Sequence, residues 1–152
     1  MTMPWTEYIS INWDHWSFNP SMGRSLPEAV LQRFAEDDGA FDIRFLEDLL
    51  ARIGEHTEIL NHLGQLYTKA GRHRDALAVD RRFVALRPRD PIAFYNLACS
   101  HALLKQLTRA FSALRKAIEL GYRDFDYMQL DMDLENLRKD PRWNDLFSGS
   151  KR

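Results

Sequence analysis

Cysteine is nearly missing from this chain. Cys99 stands alone among 152 residues, which excludes an internal disulfide and any Cys-x-x-Cys zinc or redox pair. A lone thiol suits a reducing compartment. Glycine and proline are scarce, at 7 and 6, which disfavours a loop-rich or all-β chain. Neither sign of charge is in excess: Lys+Arg 21 face Asp+Glu 22, for a formal net charge of -1. A balance this even removes the simplest case for a nucleic-acid or membrane-surface protein. No uncharged stretch approaches the roughly 20 residues of a membrane helix. The start, Met1-Thr2-Met3-Pro4-Trp5-Thr6-Glu7, lacks the basic head and apolar run of a signal peptide. What is present is 45% hydrophobic and 28% charged, close to the soluble globular average, and with the exclusions above the expectation is a mostly helical, cytoplasmic domain of ordinary size.

The informative feature is an internal repeat. Leu60-Asn61-His62-Leu63-Gly64-Gln65-Leu66-Tyr67 aligns with Phe94-Tyr95-Asn96-Leu97-Ala98-Cys99-Ser100-His101. The register continues: Ala76 falls on Ala110, Leu77 on Phe111, Val84 on Ile118, and Arg89-Asp90 on Arg123-Asp124. Leu60, Leu63, Gly64 and Tyr67 share one helix face. Gly71 supplies a left-handed residue to end that helix. Asp75 to Leu86 then reads as a second amphipathic helix with Ala76, Val79, Phe83 and Leu86 inward, and Pro88 and Pro91 stop it. The second unit runs from about Pro91 to Leu104 and from Thr108 to Leu120, ended by Gly121.

Leu63-Gly64, Tyr67, Gly71, Ala76 and Pro88, followed by Leu97-Ala98, Ala110, Ala117 and Ile118, resemble the tetratricopeptide repeat (TPR) family, whose period is about 34 residues. Asp80, Lys105 and His101 depart from the pattern, standing where the family usually has an aromatic, Gly and Tyr. Small residues at Gly64, Ala98, Ala76 and Ala110 suit the places where two helices of a hairpin cross. The resemblance implies an all-α fold, a short right-handed superhelical α-solenoid of helix-turn-helix hairpins. Residues 57–90 and 91–124 are its two clear repeats.

The flanks extend the plan. Ser25-Leu26-Pro27-Glu28 has capping-box spacing and opens a helix with Ala29, Val30, Leu31 and Phe34 inward, broken at Asp37-Asp38-Gly39. A further helix places Phe45, Leu46, Leu49, Leu50 and Ile53 on one side and ends at Gly54. Residues 23–56 therefore read as a degenerate hairpin. After Asp124 the pattern fails, because Asp131 falls where Leu63 and Leu97 sat. Asp133 and Asp140 are N-cap candidates, with Pro141 at a first helical position. Residues 125–152 resemble an ending found on many bacterial TPR proteins, which implies a helical cap over the open end of the stack.

Residues 1–22 form an aromatic N-terminal arm outside the repeat. Trp5, Ile9, Trp13 and Trp16 fit a helix face, while Ile9, Ile11 and Trp13 alternate as in a strand, and periodicity does not decide between them. An arm this aromatic is expected to dock. It would either fill the concave groove or cap the solenoid, and the cap is favoured because a solenoid end must be covered with or without a ligand.

The chain offers little chemistry. His56 and His62 are not at ligand spacing, His15 and His73 are remote, and His101 reads as a packed residue between helices, so no metal site is expected. Cys99 and His101 point to different faces of one helix and make a poor nucleophile–base pair. No phosphate loop, G-x-S-x-G or G-x-G-x-x-G is present, so no catalytic residue and no cofactor is assigned. Arg72-His73-Arg74 and Arg81-Arg82 are interrupted by acids and read as a solvated face rather than an RNA site.

A surface remains. In the TPR family the first helix of each hairpin lines the concave side, which implies a partner-binding groove here of Glu58, Asn61, Gln65, Thr68 and Lys69, with Ile92, Tyr95, Cys99, Ala102 and Leu103 and the neighbouring Asn96. The alternative, that the arm or the cap already covers the apolar half, stands level with it. Members that grip a C-terminal carboxylate have basic and Asn residues where this chain has Asn61, Gln65, Asn96, Asp126 and Leu130. Only Asn96 agrees, so that activity does not carry over. The expected function is a non-enzymatic protein–protein interaction module, an adaptor or scaffold binding an unidentified protein or peptide. A dedicated assembly or secretion chaperone, a self-associating solenoid, and a small enzyme or metal protein are the alternatives.

Overall fold

The structure, a computed structural model, describes residues 39–147. They belong to the second of two units, Glu36–Arg152. The aromatic arm and the capping-box helix expected from Ser25 lie outside the described residues.

Every described element is helical, and successive helices pair as hairpins. Helix α1 (Ala40–Ile53) has Asp42 in its first turn and Arg52 in its last, each complementing the local end of the helix dipole. Its inward residues are Ile43 and Leu50, with Leu46 and Leu49 partly covered. Two expectations are corrected: Phe45 is 56% exposed and Ile53 54%. Phe45 lies off the Ile43–Leu46–Leu50 face and stacks loosely on Phe41, and Ile53 is the last residue before the turn at Gly54.

Helices α2 (Thr57–Lys69) and α3 (His73–Leu86) form one hairpin, and α4 (Pro91–Leu103) and α5 (Leu107–Glu119) the next. The turns that close α2 and α4 share one geometry. After α2, the N–H of Gly71 donates to Thr68 O and that of Arg72 to Tyr67 O, a Schellman ending that needs a left-handed residue at Gly71 (φ 72°). After α4, Lys105 and Gln106 donate to Ala102 O and His101 O in the same way. Here Lys105 holds the left-handed conformation, at φ 56°, without glycine's freedom.

Ala76, Ala98 and Ala110 are fully buried and Gly64 is buried, so the helix pairs meet on small residues. An added Cβ at Gly64 would lie 2.7 Å from Asp80 Oδ1. Asp80 itself is buried, 3% exposed, at the register position that Leu114 fills in the next hairpin. Leu86, expected inward, is 41% exposed; it is the final residue of α3, where the chain turns away.

The C-terminal part begins with α6 (Phe125–Leu130), capped by Asp124 through the N–H of Tyr127. A 3-10 turn at Met132–Leu134, helix α7 (Glu135–Arg138) and a second 3-10 turn at Pro141–Leu146 follow. Asp140 caps the last of these, as expected. The first is capped by Asp131, which accepts from the N–H of Asp133; the expectation of Asp133 as a cap is corrected. Leu134, Leu137, Trp143 and Leu146 pack into one cluster with Phe111, Leu114 and Tyr95. Each such burial is worth about 1.5–3 kcal/mol, and together they cover the free side of the α4–α5 hairpin.

Candidate functional site

The first helices of the two hairpins lie side by side. Asn96 Nδ2 on α4 donates to Asn61 Oδ1 on α2 at 2.7 Å. On the other flank of α4, Tyr95 Oη donates to Asp131 Oδ2 at 2.6 Å. The Tyr95 ring stacks on Tyr122, centroids 4.3 Å apart and nearly parallel. Thus α2, α4 and the α6 segment form one row, tied by polar side chains at each junction.

The expected groove residues divide between surface and interior. Glu58, Gln65 and Lys69 are exposed, Ile92 is 45% exposed, and Asn61, Thr68, Asn96 and Leu103 are half-buried. Tyr95 and Cys99 are corrected: at 5% and 8% exposure they are floor rather than contact surface, and Ala102 is fully buried. Tyr122 covers the Tyr95 ring, and Asp131 adds to it. Where the two earlier repeats have leucine, an acid follows α6, and its carboxylate lies over Tyr95 and Cys99. The cap therefore covers this part of the stripe. The break at Asp131 is visible in the sequence, but the residues it reaches are not.

Cys99 Sγ, Asp131 and Asp133 bring ligand-type atoms within 4.8 Å of one another. Their hydrogen bonds already account for the arrangement. Asp131 Oδ2 accepts from Tyr95 and Cys99, and Oδ1 from the N–H of Asp133. Burial, then the charges of Asp131 and Asp133, push the Cys99 thiol well above its ordinary range. A thiol held neutral in this way is a poor nucleophile. Burial likewise raises the Asp133 carboxyl, with Asp131 adding repulsion and His73 opposing it. Tyr122 is pushed up to about 12, chiefly by burial.

His101 is a packed residue, with Nδ1 2.9 Å from Gln106 Oε1, and burial lowers its pKa. At the matching place in α2, Tyr67 donates to Glu47 Oε1 at 2.5 Å and lies beneath the Arg72 guanidinium. Sequence reasoning does not single out Tyr127, which with Leu130 stays 53% and 77% exposed. The Tyr127 ring is 6.2 Å from that of Tyr95, which places it on the same row. Its signal is α6 itself, six residues long and too short to cover both its sides.

No family model matches the chain. It is 34% identical over 86 residues to a chloroplastic protein of Arabidopsis thaliana. The match takes in 55% of the chain but 26% of that protein, so the chain spans about a quarter of the relative's length. Among solved structures, the crystal structure of MamA, a TPR-like α-solenoid, superposes with a TM-score of 0.61 at 22% identity, covering 82% of this chain and 73% of that one. The fold is thus TPR-like. No helix among the described residues is long and apolar enough to cross a membrane.

Proposed function

We propose that this chain is a non-enzymatic protein-interaction module, an adaptor or scaffold that receives a partner peptide along the row of α2, α4 and α6. The carrying observation is that Ile92, Tyr127 and Leu130 stay exposed on a row of helices tied by the Asn96–Asn61 and Tyr95–Asp131 hydrogen bonds, with the polar Asn61, Gln65 and Thr68 on its α2 member. Apolar side chains held at the surface of a rigid row are a candidate contact surface, and the amides beside them can pair with an extended backbone. In such interfaces a few anchors carry most of the affinity. The TPR-like fold supports the same reading. The Cys99 thiol, the one thiol in the chain, is buried and held neutral, which weighs against covalent catalysis.

The test is selection of a random-sequence peptide display library on the protein, followed by affinity measurement for the enriched peptide. Ile92→Glu with Leu130→Glu should weaken binding at least about tenfold, roughly 1.4 kcal/mol. The melting temperature should be preserved, because both side chains are surface groups. Enriched peptides that bind the double variant as tightly as the wild type would show that this row is not the site.

A further inference from the structure

A second surface lies away from the inner row. Between α4 and α5 the protein has an open cleft of about 740 Å³. Phe94 and Leu97 of α4 and Phe111 of α5 form its apolar lining, with Thr108 and Ser112 adding hydroxyls. Its cations are Arg109, Arg115, Lys116 and Arg142, against one lining acid, Glu119. Glu119 is 3.3 Å from Lys116, and Arg142 is paired with Asp140. Arg109 and Arg115 have no carboxylate within ion-pairing distance among the described residues; the Arg109 contact is Gln106 Oε1, at 3.4 Å. Cations thus outnumber acids four to one in this lining.

We propose that this cleft docks an acidic peptide segment of a partner protein, with carboxylates on Arg109 and Arg115 and an apolar side chain between them against Phe94 and Leu97. Arginine pairs with carboxylate through a planar two-bond fork, which sets direction as well as attraction. An extended strand can present this pattern: residues i, i+2 and i+4 share one face, so two carboxylates can flank an apolar side chain on the side that meets the cleft. The field in the cleft has the required sign. Four cations line it against one acid, and at His101 burial lowers the pKa, the Gln106 hydrogen bond opposes this, and Arg81 and Arg109 add to the lowering. A nucleic acid fits less well, because its affinity grows with the number of phosphates neutralised and this cleft offers two free arginines and an apolar lining. The site is independent of the inner row, so either can fail without the other.

The probe is a fluorescein-labelled peptide with blocked ends, Glu-Ala-Phe-Glu-Glu, titrated with the full chain by anisotropy. A Gln-Ala-Phe-Gln-Gln peptide and a ten-nucleotide oligothymidylate serve as comparisons. The acidic peptide should bind saturably, at least tenfold tighter than its Gln counterpart, and should lose at least tenfold with Arg109→Glu and Arg115→Glu. Both positions are exposed, so unchanged circular dichroism is expected of the variants. Ile92→Glu, on the inner row, should leave this binding unchanged. Equal binding of the Glu and Gln peptides, indifference to the arginine replacements, or no saturable binding overturns the proposal. Tighter binding of the oligothymidylate also overturns it, assigning the cleft to nucleic acid instead.

Discussion

Ser100 on α4 donates its hydroxyl to Asp80 Oδ2 on α3 at 2.5 Å, and both residues are buried. The other oxygen, Oδ1, has no hydrogen-bond partner and faces Gly64. The next hairpin solves the same position with Leu114 against Ala98, both fully buried. The first hairpin thus carries a carboxylate where the repeat admits a hydrocarbon.

Burial raises the Asp80 pKa from 3.8 to about 6, opposed by the Ser100 hydrogen bond. The folded state then holds the proton more tightly than the unfolded one. Stability is greatest below pH 4, falls as pH rises through about 6, and is level above. The shift corresponds to at most about 3 kcal/mol. Asp80→Asn should therefore be more stable than wild type at pH 8, with the difference shrinking towards pH 4. Urea unfolding of both proteins across that range measures it, and a difference independent of pH would rule the assignment out.

Gly64→Ala sets helix propensity against overlap. Alanine favours a helix interior by about 1 kcal/mol, whereas crowding Asp80 Oδ1 costs about 1–3 kcal/mol. The replacement should destabilise the wild-type background and stabilise Asp80→Ala. A double-mutant cycle reads the coupling directly, and additivity within error would show that the two residues do not touch.

Lys105→Gly should stabilise the fold. A left-handed conformation costs a side-chain-bearing residue about 1–2 kcal/mol, offset in part by the greater freedom of glycine when unfolded. A net gain of about 0.5–1 kcal/mol raises the melting temperature by about 1–4 °C in a chain of this size. Calorimetry decides, and a lower melting temperature would contradict the turn geometry.

Tyr95 separates a core role from a surface role. Tyr95→Phe keeps the stack on Tyr122 but removes the donor to Asp131, a charged partner, at a cost of about 1.5–3 kcal/mol. Tyr95→Ala also removes the ring and should cost about 3–5 kcal/mol. Cys99 should then react faster with a thiol reagent, since Asp131, which lies over the thiol, loses its tie to Tyr95. If Tyr95→Ala melts with the wild type, the ring is surface after all.

The order of the described helices and the turns between them were legible in the sequence because their causes are local. Apolar residues at three- and four-residue spacing define a helix face, Gly71 and Pro88 end the helices, and small residues recur at the crossings. The inward place of Asp80 was also written there, since 76, 79, 80 and 83 share one face, but an acid at that place reads as solvated until burial is measured. Tyr95 and Cys99 were beyond the reach of such signals. Their helix face matches that of Asn61 and Gln65, which stay half-buried and exposed. What differs is that the chain breaks at Asp131 and folds a carboxylate back over α4 from more than thirty residues away. Periodicity reports which side of a helix is apolar; whether that side meets water depends on what a distant segment places against it, and only the tertiary structure decided that.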